Sequence, residues 1–131
     1  MRIHSVLASV LVSAVVAGCG GSPTDANQGS VFLAVTGSAA VGTALDAHLV
    51  NHSEVAVRVG WLPCYVMTDR RVGDRWSEIP RENQACIMPV YTINPGAEFA
   101  FPLTAPTTPG TFRLRTIVGD DSVFSSPFVV R

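Results

Sequence analysis

From Val31 onward, apolar and polar positions alternate with a period of two. Val31, Leu33 and Val35 share one parity, as do Leu45, Ala47 and Leu49, and then Val55, Val57 and Val59, with Asp46, His48 and Arg58 at intervening positions. Successive side chains of a strand point to opposite faces, so these segments predict half-buried strands. Asn51-His52-Ser53 supplies turn-forming residues between the second and third. Tyr65-Val66-Met67 leads into a polar hairpin, and residues 87–93 return to apolar content before the turn Asn94-Pro95-Gly96. Ala97, Phe99, Phe101 and Leu103 alternate again. Beyond the Pro-rich connection 104–110, Phe112, Leu114 and Thr116 lie on one face, with Arg113 and Arg115 on the other. Gly119-Asp120-Asp121 then turns the chain toward Val123-Phe124 and a last segment, Pro127-Phe128-Val129-Val130. Seven or eight short strands at about ten-residue spacing, with no helical stretch, predict an all-β antiparallel sandwich over residues 31–131.

The first residues follow a different pattern. An apolar run from Val6 to Val16 lies behind Arg2 and closes with Ala17-Gly18-Cys19, followed by Gly20-Gly21-Ser22-Pro23. A membrane-spanning helix needs about 20 consecutive apolar residues, and this run is shorter. A basic start, a short apolar segment and small residues before a cleavage point are the marks of a removable export signal. Val16-Ala17-Gly18-Cys19 resembles the lipobox of bacterial lipoproteins. That resemblance implies removal of residues 1–18, lipidation of Cys19 and attachment to a membrane of the cell envelope through that lipid; Gly20 in place of Asp favours the outer membrane. Residues 19–30, rich in Gly, Ser, Pro and Asn, have little to bury and read as a flexible tether.

Residues 19–131 are of a size suited to one hydrophobic core. They hold eight Arg, no Lys, and ten Asp and Glu, a formal charge of −2. That balance offers no basic face for nucleic acid, and the absence of Lys excludes Schiff-base and P-loop chemistry. With Cys19 assigned to lipid, Cys64 and Cys86 are expected to pair in an exporting compartment. Closing their loop of about 20 residues contributes roughly 3 kcal/mol on a chain-entropy estimate. A metal site would have only His48 and His52 to add to these two thiols and is the weaker reading.

The series Asn51-His52-Ser53, Val55-Ala56-Val57, Gly73-Asp74-Arg75-Trp76, Ile93-Asn94-Pro95-Gly96 and Pro109-Gly110-Thr111-Phe112-Arg113-Leu114 resembles small bacterial immunoglobulin-like domains of envelope lipoproteins. The resemblance implies a sandwich with a binding or accessory role. Phe112 stands where such domains carry the tyrosine of the tyrosine corner; it can fill that volume but cannot make the phenolic hydrogen bond. Intracellular proteinase inhibitors of bacteria have a similar layout, which makes the 103–110 connection a candidate inhibitory segment.

No G-x-S-x-G, H-E-x-x-H or P-loop motif occurs, so the chain is read as non-enzymatic and without a cofactor. His48, His52 and Asp46 could form a base with an orienting carboxylate, but polar residues on the wet face of a sheet explain them as well. Asp120-Asp121 offers too few of the six to eight oxygens that calcium takes. Between Cys64 and Cys86 lie Asp69, Asp74, Glu78, Glu82, Arg70, Arg71, Arg75 and Arg81, with Trp76 among them. Trp and Arg are enriched at interface hot spots, which makes Trp76, Arg70, Arg71 and Arg75 the candidate binding residues for an envelope protein or glycan; alternatively, Trp76 packs under the hairpin and the charges solvate it. Trp61, in register with Val55, Val57 and Val59, is expected in the core beside the disulfide.

Overall fold

The computed structural model describes residues 30–36, 38–81, 85–86 and 89–131. The signal segment 1–18, Cys19, nearly all of the 19–30 tether, and Glu82, Ile87 and Met88 lie outside the described residues.

The period-two segments form strands, and the sheets are antiparallel throughout. In chain order they are β1 (Val31–Val35), β2 (Ala44–Asn51), β3 (Val57–Val59), a helical turn α1 (Leu62–Tyr65), β4 (Met67–Val72), β5 (Arg75–Glu78), β6 (Tyr91–Ile93), β7 (Glu98–Thr104), β8 (Gly110–Val118), β9 (Asp121–Phe124) and β10 (Phe128–Val130). One sheet has the order β1-β2-β7 and the second β10-β8-β4-β5, with β9 also on β8; β3 and β6 make a small separate ribbon. Between the sheets, Leu33, Leu45, Ala47, Leu49 and Phe101 meet Phe112, Leu114, Val123, Phe128 and Val130 in one core. Three strands packed on a longer sheet is an immunoglobulin-like sandwich.

Among the described residues, ten strands stand where seven or eight are expected. β9 and β10 flank the same edge of β8, pairing with its second and first halves respectively. They are one edge broken at Ser125-Ser126-Pro127, where the Leu114 N–H donates to Ser125 Oγ and Pro127 has no N–H to continue a ladder. The expected segments around Val57 and Tyr91 form β3 and β6, which pair with each other as a separate ribbon. The expected absence of helix also fails locally: Pro63 occupies the first turn of α1, a position where a missing N–H costs nothing. That turn ends the alternation early. Val55 is 66 % exposed, Trp61 is half-buried at the N-cap of α1, and the core position beside the disulfide is filled by Leu62, which is fully buried.

Asn51 closes this part of the fold. It is fully buried, and its Nδ2 donates to the carbonyls of Val55 and Ile93 while its Oδ1 accepts from the Ser53 N–H and hydroxyl. Its backbone pairs with Ala97 and Gly96. One amide thus joins the end of β2, the turn leading to β3, and the β6–β7 turn.

The register fixes which loops share an end. Val31 lies opposite Asn51, and β7 begins beside the end of β2. A parallel bridge between Leu33 and Ser125 sets β1 alongside β9, and Met67 of β4 pairs with Arg115 near the end of β8. The start of β1, the end of β2, α1, the start of β4 and the β8–β9 turn therefore gather at one end, here termed the entry end. The β4–β5 turn and the 104–110 connection lie at the other.

Candidate functional site

Cross-strand pairing puts the charged hairpin's side chains on two faces. Asp69 pairs with Glu78, Arg71 with Trp76, Asp69 with Arg113, and Arg115 with Phe124, and directly opposed residues of an antiparallel pair share a face. Asp69, Arg71, Trp76, Glu78, Arg113, Arg115 and Phe124 thus occupy the outer face of the second sheet.

At its centre Asp69 has a side chain only 4 % exposed, with Arg113 Nε 3.0 Å and Arg115 Nε 3.5 Å from its Oδ2. Arg115 also meets Glu78 at 2.5 Å. Burial alone would lower the proton affinity of the Arg115 guanidinium, but hydrogen bonds and charge from Asp69 and Glu78 outweigh it and hold that cation's pKa above its ordinary value. The Arg113 guanidinium sits 4.6 Å from the ring centroid of Trp76 and 4.3 Å from that of Phe124. A cation between two π faces is favourable, so Arg113 ties β5, β8 and β9 together while its Nε bonds β4.

The four candidate binding residues divide accordingly. Trp76 and Arg71 lie together on the outer face. Trp76 is half-buried and shares Arg113 with Phe124, so it packs within the face as well as contributing to its surface. Arg71 is exposed, with Nε on the Gly73 carbonyl. Arg70 points the other way, lying 5.9 Å from the Phe112 ring centroid and donating to the Pro109 carbonyl; it covers the end of the core. Arg75 is exposed opposite Val72, on the same side as Arg70. Phe112 is fully buried, 6.2 Å from Phe128 between ring centroids, and fills the volume expected of it.

Cys64 and Cys86 are joined in a disulfide with a Cα–Cα distance of 5.9 Å. Arg81, from the same charged stretch, donates to the carbonyls of Pro63, Cys64 and Val66. Those are carbonyls that a four-residue helix leaves without intrahelical partners. Arg81 is therefore a clamp on α1, and nothing in the linear spacing of charges distinguishes it from Arg75.

The histidines do not converge. His48 Nδ1 is 3.6 Å from Glu98 on the outer face of the first sheet, His52 stacks edge-on to Phe32 at 5.2 Å, and Asp46 is exposed. Asp120 follows Gly119 in the β8–β9 turn, where φ is 63°. Among the described residues, no group of three or more His, Cys, Asp or Glu could hold a metal ion. The 104–110 connection is held at its start by the Ala105 N–H on Thr43 O and by Pro106 O accepting from Gly42. No protein-family model matches the chain, and no curated protein matches it.

Proposed function

We propose that the chain is a lipoprotein of the bacterial cell envelope, held to the membrane by lipid on Cys19, whose immunoglobulin-like domain is a non-enzymatic module binding an envelope protein or glycan. The observation that carries this reading is the Cys64–Cys86 bond. Disulfides persist in exporting compartments, and this one accounts for two of the three cysteines, leaving the third at the end of the short apolar run. The binding surface is the Trp76 and Arg71 end of the second sheet's outer face, with Arg75 on the opposite side of the same hairpin. Arg71 is a cation at solvent next to an aromatic anchor, the pairing enriched at interface hot spots.

Two experiments bear on the two halves. Cys19→Ala in the full chain is expected to move the protein from the membrane to the soluble fraction of the producing cell; unchanged membrane retention overturns the anchor. Trp76→Ala combined with Arg71→Ala is expected to lose envelope partners recovered by the parent protein, with the circular dichroism of the sandwich kept. An identical set of partners overturns the binding face and leaves a spacer or assembly role.

A further inference from the structure

The entry end of the sandwich carries an apolar groove of 310 Å³ lined by Gly60, Tyr65, Met67, Pro89, Val90 and Ile117. Its floor is set by close approach: a Cβ on Gly60 would lie 2.7 Å from the Tyr65 ring, so any other residue there would force that ring to move. Val90 and Ile117 on its rim are 54 % and 57 % exposed. Single exposed apolar residues are ordinary on a small domain, whereas several around one apolar depression mark a contact surface. Half-buried Trp61 adjoins it in sequence, and Trp and Tyr are the side chains favoured at the boundary between water and lipid.

The covalent path says what this end faces. Val31 emerges at the entry end, and the twelve residue steps from Cys19 to Val31 reach at most about 40 Å fully extended, or roughly 15–20 Å as a coil. Among the described residues, the exposed charges at this end are Glu54, Glu98, Asp120 and Asp121 against Arg58 and Arg81, an acidic balance that disfavours an anionic surface and suits a zwitterionic one. We infer that the entry end docks on the zwitterionic headgroup layer of the bilayer that holds the Cys19 lipid, with Ile117 and Val90 inserted at the boundary. This rests on the lipid anchor proposed above. Met67 and Ile117 lie at the entry-end margin of the second sheet's outer face, so Trp76, paired with Arg71 four residues along β4 from Met67, lies roughly 14 Å along that face from the inserted edge at 3.4 Å per strand residue.

The test uses the lipidated full chain in phosphatidylcholine vesicles, with plain or brominated acyl chains. Ile117→Trp and Val72→Trp place a reporter at exposed positions of the entry and opposite ends; Val72 is 61 % exposed. Relative to the parent, the emission added by Ile117→Trp is expected to be lost in brominated vesicles and that added by Val72→Trp kept, and Val90→Glu combined with Ile117→Trp is expected to restore the lost emission. Protein that floats with the vesicles yet shows no bromine quenching at either position overturns the docking while the anchor stands. If Cys19→Ala floats as well as the parent, the anchor fails and the docking falls with it.

Discussion

Asn51 shows how far one amide can reach in a small domain. Its side chain makes four hydrogen bonds in a site without solvent, so Asn51→Ala removes donors and acceptors together and takes the amide from the buried Ile93 carbonyl, while the Val55 carbonyl keeps the Ser53 hydroxyl. A loss of about 3 kcal/mol is expected, measured by urea unfolding. In the sequence Asn51 is one of three turn formers, and its neighbour His52 is exposed; a buried Asn and an exposed one look the same in a linear pattern, because what buries Asn51 is Ile93, 42 positions away. Arg113 presents the same difficulty in another form. Its place on the outer face was legible from the alternation with Phe112 and Leu114, but its partners Asp69, Trp76 and Phe124 come from three other strands. Arg113→Lys keeps the charge and loses the planar fork and its stacking. It is expected to destabilise by roughly 1–2 kcal/mol by thermal or urea melting and to increase Trp76 fluorescence quenching by added acrylamide.

At the scale of elements, the disulfide and Arg81 act on one short segment. The bond closes a separation of 22 residues, and Cys64→Ala with Cys86→Ala is expected to cost about 3 kcal/mol, a fall in melting temperature of roughly 15 °C for a domain near 100 residues. Calorimetry of the variant checks this; an unchanged melting temperature would mean the bond constrains nothing that unfolding releases. The pairing was readable from cysteine arithmetic, but α1 was not. Its four residues are too few for helical periodicity, and its stability comes from Arg81 on its carbonyls and from Leu62 and Val66 in the core. The same blind spot covers Trp61, whose parity with Val59 stops mattering once Pro63 turns the chain.

For the whole molecule, the class of fold was legible because a period of two survives in nearly every segment from Leu33 to Val130. Strand count and pairing were less so: nothing in the linear pattern says that β9 and β10 share one edge of β8, or that β3 and β6 pair apart from both sheets. Which loops share an end is set by pairing between distant strands, and so the apolar groove at the entry end had no linear signature. Tyr65, Val90 and Ile117 lie far apart in the chain and come together through the β4–β8 and β3–β6 pairings.

The crossing of the first strand has a mechanical consequence. After β1 leaves β2, residues 39–41 run parallel to β10, with the Ala39 N–H on Val129 O, the Arg131 N–H on Ala39 O and the Val41 N–H on Arg131 O. A pull between residue 31 and residue 131 drags these two parallel segments lengthwise past each other, so their hydrogen bonds bear load together instead of opening one after another. Single-molecule extension along that axis is expected to need a higher rupture force than extension between residues 72 and 131, which pulls across the β10-β8-β4 order and opens its ladders one bond at a time. A domain fixed at one end and grasped near the other would then resist tension along the direction in which it is held.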